Sequence, residues 1–127
     1  MNEQNLTRGK VLIADDDDDS RIMLSFLLED EGWQVAEARD GKEALEKLVE
    51  EKPHVLVLDN RMPELTGAMV YEQLISKGIN IPVVLITAFS DLDELASSLG
   101  IRYFLRKPID FLEVLATIQL AYEESKN

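Results

Sequence analysis

A chain of 127 residues, 46% hydrophobic and 30% charged, suits one globular domain with a single core and leaves little length for a second. It has no cysteine, which excludes disulfides, zinc–thiolate centres and thiol nucleophiles, and no apolar run near the ~18 residues that span a bilayer. The net charge of −12, from 13 Lys+Arg against 25 Asp+Glu, argues against nucleic-acid binding by this domain. That charge is compatible with a metal cation, with a basic patch on a protein partner, or with solubility alone. The opening MNEQNLTRGK is polar and lacks the apolar centre of a signal peptide, so a cytoplasmic location is expected.

The first nine residues read as a flexible lead-in. KVLIA (10–14) is a short apolar run followed abruptly by five aspartates, Asp15 to Asp19, which reads as a buried parallel strand running into charge. Ile22, Met23, Phe26 and Leu27 then recur at helical spacing, with Asp18 or Asp19 as N-cap and Gly32 just past the end. WQVAEA (33–38) is a half-buried strand. DGKEALEKLVEE (40–51) carries Asp40 and Glu43 as a capping box, with Ala44, Leu45, Leu48 and Val49 on one face. HVLVLD (54–59) repeats the first pattern, apolar and then acidic. TGAMVYEQLISKG (66–78) reads as a helix ending at Gly78, and IPVVLITA (81–88) as a strand that tolerates Pro82 at its start. Ser90 and Asp93 mark a short helix over about 91–99, closed by Gly100. YFLRKP (103–108) contains the last strand, and DFLEVLATIQLAYEE (110–124) is a closing amphipathic helix.

Strands alternating with helices in this way imply an α/β fold, a doubly wound (βα)5 with three layers and a parallel five-stranded sheet. Ligands bind such sheets outside the carboxyl ends of the strands. Those ends carry Asp15, Asp16 and Asp17 after the first strand, Asp59 after the third, Thr87 and Ala88 after the fourth, and Lys107 after the fifth. Gathered carboxylates repel one another unless a cation is present, and hard oxygen donors suit Mg²⁺. A carboxylate is also a competent nucleophile toward phosphorus. Lys107, the Thr87 hydroxyl and backbone N–H groups are then available to neutralise phosphoryl charge, and a Lys107–Asp59 ion pair is expected at rest.

The segments VLIADDD…R, VLVLDNRMPELTG, VVLITA and YFLRKP resemble, in this order, the four signature segments of the receiver domain of two-component response regulators. The resemblance covers residues 10–122 and leaves 123–127 as a polar tail. It implies a flavodoxin-like sheet of order 2-1-3-4-5 with Asp59 as phosphoacceptor. It further implies Asp15 and Asp16 as the acidic pair that organises Mg²⁺, Asp16 the direct ligand, joined by Asp59 and the backbone carbonyl of Arg61. Thr87, with Ala88 beside it, would hydrogen-bond the phosphoryl group, Lys107 would pair with it, and Phe104 would be the aromatic residue that changes rotamer. The peptide bond before Pro108 would be cis. The implied partners are a sensor histidine kinase or histidine phosphotransfer protein, and a downstream protein target that reads the face of the fourth and fifth strands and helices. No membrane partner and no enzyme activity beyond self-catalysed phosphotransfer and dephosphorylation are implied, and the state would be a monomer or weak dimer. The resemblance fits either a stand-alone regulator, as in sporulation or chemotaxis pathways, or a domain of a longer protein.

Two features depart from the family. Phe104 stands where tyrosine is common, and the spacing from Thr87 to Lys107 is short, which predicts a short or irregular fourth helix. Arg61 and Phe89 fall at the mouth of the site, where they would gate water.

Other readings of these residues are weaker. Asp15, Asp17 and Asp19 sit at calcium-loop positions, but Ser20 replaces the required glycine and Phe26 the required glutamate. A haloacid-dehalogenase-like phosphatase would use Asp16 as nucleophile and Asp18 as acid/base; no acidic pair follows Lys107 at a strand end, and Asp59 is left without a role. A third reading is an interaction module that keeps the fold and is not phosphorylated. Asp18 and Asp19 read as capping or solvated residues, while Asp17 stays open between the metal's outer shell and the helix start. His54 reads as a loop residue and Trp33 as edge-strand packing.

Overall fold

The structure is a computed structural model that describes residues 8–87 and 100–126. Its elements run β1 (Lys10–Ala14), α1 (Asp18–Asp30), β2 (Gln34–Ala38), α2 (Gly41–Glu51), β3 (Val55–Asp59), α3 (Gly67–Ser76), β4 (Val83–Thr87), β5 (Tyr103–Arg106) and α4 (Phe111–Ser125). The short helix expected over about 91–99, and with it Ala88, Phe89, Ser90 and Asp93, lies outside the described residues.

All strands pair in parallel, in the order β2-β1-β3-β4-β5. Parallel strands buried on both sides need apolar residues on both faces, and β1 and β3 supply them. Val11, Ile13, Val55, Val57, Val84, Ile86 and Leu105 point to one face, where they pack with Leu24 and Leu28 of α1 and Val114 and Ile118 of α4. Leu12, Ala14, Leu56, Leu58, Val83 and Leu85 point to the other face, against Ala44 and Leu48 of α2 and Val70 and Leu74 of α3. Each fully buried aliphatic side chain contributes roughly 1.5–3 kcal/mol, so both faces anchor the sheet in the core.

The register also aligns the carboxyl ends. Ala14 pairs with Leu58, Asp59 with Ile86, and Thr87 with Arg106. The residues that follow β1, β3 and β5 therefore emerge on one rim. β2 lies beyond β1 on one side and β3 on the other, so the chain reverses its winding at the β1/β3 boundary and opens a crevice there.

Helix starts are capped by side chains, with one shift from expectation. Asp17, rather than Asp18 or Asp19, is the N-cap of α1; its carboxylate accepts the Ser20 N–H at 3.0 Å. Asp18 and Asp19 instead occupy the first turn, where negative charge favours the positive end of the helix dipole. Asp40 accepts from the Glu43 N–H at 2.8 Å, as in a capping box, but Glu43 reaches the N–H of Arg39 rather than that of Asp40.

The apolar face expected for α1 is overturned. Ile22, Met23 and Phe26 are 55%, 60% and 64% exposed, and Arg21, Leu24, Ser25 and Leu28 form the buried face. Val49 likewise points to solvent, whereas Ala44 and Leu48 are buried. Trp33 is buried at the start of β2 and meets Tyr122 of α4 edge-on, with ring centroids 5.3 Å apart. It packs, as expected, but against the closing helix.

Candidate functional site

The rim of the sheet at the β1/β3 crevice collects most of the chemistry-bearing residues singled out from the sequence. Asp59 is the last residue of β3 and is only 5% exposed. Asp15 follows β1 directly and is also buried, while Asp16 faces solvent. Carboxylate oxygens of these three residues lie within 4.8 Å of one another.

The turn after β1 is held by one bond to β2 and one to the Asp15 carboxylate. The Asp15 N–H donates to the Ala38 carbonyl at 3.1 Å, and the Asp15 Oδ1 accepts the Asp17 N–H at 2.9 Å. Asp17 is thereby occupied as a cap, and its carboxyl is held below the usual range first by the Ser20 hydrogen bonds.

Lys107 reaches in from the end of β5. Its Nζ lies 3.3 Å from Asp59 Oδ2 and 3.8 Å from Asp15 Oδ2. The peptide bond from Lys107 to Pro108 is cis. The Arg61 N–H donates weakly to Asp59 Oδ1 at 3.4 Å. Thr87 ends β4 beside Arg106 of β5; the structure describes its backbone, and Ala88 lies outside the described residues. Phe104 sits on β5 opposite Leu85 with its ring exposed.

Electrostatics follow from this crowding. Burial and the neighbouring Asp15 charge push the Asp59 carboxyl up to about 6, against the pull of Lys107 and the Arg61 N–H. With all three acids ionised, three carboxylates face one ammonium, which leaves an excess of two negative charges. A small divalent cation with hard oxygen preference matches both that excess and the donor set.

The β3–α3 loop fixes Asp59 from below. Asn60 is buried and donates its N–H to Ile86 O at 3.1 Å, while its Oδ1 accepts the Ala68 N–H at 3.0 Å. Gly67 passes so close that a Cβ there would lie 2.8 Å from Asn60 Cα and 2.9 Å from Asp59 O. The glycine is needed for space, since any side chain would meet backbone. Sequence reasoning gave neither residue a role. The signal was present in the DN…TG spacing, an amide next to the acid and a glycine opening the next helix.

His54 lies away from this rim. It precedes β3, about 17 Å from the Asp59 end at the usual rise per strand residue. Its Nδ1 accepts the Lys10 N–H at 3.0 Å and its ring meets Tyr122 edge-on at 5.3 Å, so it bridges β1 and α4.

Comparison with known proteins matches this geometry. The profile of the response regulator receiver domain family spans residues 11–119. The chain belongs to that family. It is similar to an uncharacterized 14.6 kDa protein of Leptolyngbya boryana, 38% identical over 91% of this chain and 92% of that one. It is also similar to the transcriptional regulatory protein PdtaR of Mycobacterium tuberculosis, 38% identical over 88% of this chain but 56% of the relative. Thus it spans nearly all of the first relative and about half of the second. Among solved structures, the receiver domain of Francisella response regulator 1452 superposes with a TM-score of 0.86 at 29% identity, covering 92% of this chain and 98% of that one. The receiver domain described here is therefore a signalling module of the two-component class, with the flavodoxin-like strand order. No helix among the described residues is long and apolar enough to cross a membrane.

Proposed function

We propose that this receiver domain accepts a phosphoryl group onto Asp59 from the phosphohistidine of a sensor histidine kinase or histidine phosphotransfer protein. The observation that carries the reading is a buried carboxylate at a strand end, flanked by two further acids and by an ammonium 3.3 Å away. Asp15, Asp16 and Asp59 would hold Mg²⁺ with the Arg61 carbonyl, and the bound ion would neutralise charge on the phosphoryl oxygens during transfer.

The remaining chemistry belongs to the chain. One Asp59 oxygen attacks phosphorus; the new O–P bond forms as the P–N bond breaks, and the electron pair returns to the imidazole nitrogen. With its carboxyl ionising near 6, Asp59 is mostly anionic at neutral pH and ready to attack. Lys107, already shared between Asp59 and Asp15, would follow the phosphoryl group once Asp59 is esterified. Thr87 and Ala88 would donate to the same group. Phe104, exposed at rest, would turn inward as Thr87 moves and alter the face read by a downstream protein target. The domain is taken as residues 10–122, acting in the cytoplasm as a monomer or weak dimer.

The test is incubation with Mg²⁺ and acetyl phosphate, followed by mapping of acyl phosphate by mass spectrometry. Labelling at Asp59 that disappears in Asp59→Ala supports the reading. Labelling at Asp16 with repeated turnover of phosphomonoesters would indicate a phosphatase instead, and no labelling from any donor would leave an interaction module.

A further inference from the structure

Arg21 is 6% exposed, on the buried face of α1, in a site crowded with acids. Its guanidinium makes three different contacts. Nη1 donates to the backbone carbonyl of Asp15 at 2.8 Å, Nη2 to Asp18 Oδ1 at 2.7 Å, and Nε to Glu37 Oε1 at 2.9 Å. These partners lie on the β1 turn, the first turn of α1 and β2. Burial works against the charged form, but the Asp18 and Glu37 carboxylates offset it and raise the guanidinium pKa further.

The contact with Asp15 O matters most. That carbonyl belongs to the peptide joining Asp15 to Asp16, two of the three acids of the crevice rim. Rotation of this peptide plane would swing Asp16 relative to Asp15. The Asp15 N–H is tied to Ala38 and its Oδ1 to Asp17, so the carbonyl is the remaining backbone freedom at this residue, and Arg21 removes it. An alternative is that Arg21 supplies charge alone, offsetting repulsion among the aspartates. A lysine on the surface would do that without burial, and the planar fork suits simultaneous bonding to several acceptors where an ammonium does not.

We infer that Arg21 is a positioning residue for the metal site: it holds the Asp15–Asp16 peptide so that both carboxylates face the same cation. The inference rests on the reading of this crevice as a Mg²⁺ site. It makes a prediction of opposite sign to simple electrostatics. Removing a nearby positive charge should strengthen Mg²⁺ binding if charge were all that mattered. Loss of positioning should weaken it, on the order of tenfold, as for other groups that orient ligands without touching the ion.

The experiment is calorimetric titration of MgCl₂ into the full chain, with urea unfolding followed by Trp33 fluorescence to establish that each variant is folded. Arg21→Met, which has similar length but neither charge nor donors, should raise Kd on the order of tenfold. Arg21→Lys keeps the charge and cannot make all three bonds, so its Kd should fall between the two. An Arg21→Met protein that is folded and binds Mg²⁺ as tightly as the wild type, or more tightly, overturns the inference. Should Arg21→Met fail to fold, Arg21→Lys decides, and a wild-type Kd there overturns it equally. If the wild-type chain itself binds no Mg²⁺, it is the metal-site reading that fails.

Discussion

Asp59→Asn should stabilise the protein, and by an amount that grows with pH. The native state raises this carboxyl from an ordinary 3.8 to about 6, first through burial and then through Asp15. A raised acid favours the neutral form in the folded state. Its contribution is fully present below 3.8 and is lost as pH rises through about 6. Above that range the charge costs about 3 kcal/mol relative to the unfolded chain. At about pH 5 the cost is about 1.6 kcal/mol, because most native molecules are still protonated while the unfolded chain is ionised. Asparagine has nearly the same shape and no charge to bury. Whatever fixed cost the amide carries, the advantage of Asp59→Asn over the wild type should therefore grow by about 1.4 kcal/mol between about pH 5 and pH 8. The assay is urea unfolding without divalent cations, followed by fluorescence of Trp33, the single tryptophan and a buried one. A difference that stays flat across this range, or that turns in favour of the wild type as pH rises, would refute the reasoning.

Added Mg²⁺ should narrow the difference by stabilising the wild type by about 1.4 kcal/mol at tenfold excess over Kd, with little effect on Asp59→Asn, as read from urea midpoints. Lys107→Met removes the cation 3.3 Å from Asp59, so ionisation of Asp59 should move further up; the pH at which acetyl phosphate labelling falls by half should rise with it, and an unchanged profile would count against the ion pair. Gly67→Ala should cost roughly 1–3 kcal/mol and reduce labelling of Asp59, because its Cβ would meet Asn60 Cα at 2.8 Å and must displace the loop that carries the acid. Wild-type stability in Gly67→Ala would mean that α3 shifts freely at its start.

What the sequence made legible was whatever a strand makes local. In β1, β3, β4 and β5 a short apolar run stops at a residue able to do chemistry, and parallel pairing then aligns those stops on one rim without further information. Asp15, Asp16, Asp59 and Lys107 could be gathered on paper for that reason, while their distances depend on the turns that follow the strands. The N-cap of α1 is harder, because five aspartates offer equivalent side chains and the choice of Asp17 depends on where the backbone turns after Asp15 accepts its N–H. The face of α1 was less legible still. Ile22, Met23, Phe26 and Leu27 are periodic, but so are Leu24 and Leu28, and the middle of the helix, 22–28, is apolar nearly all round. Only Arg21 and Ser25 separate the two faces, and polar residues ordinarily mark the outside. Here they mark the inside. The acceptors that make burial of Arg21 tolerable, Asp15 O and Glu37, come from the turn after β1 and from β2 and are adjacent only after the sheet has formed. A helix face chosen by long-range hydrogen bonds rather than by its own periodicity cannot be read from spacing. That choice of face leaves Ile22, Met23 and Phe26 on the solvent side of the helix that begins at the acidic rim.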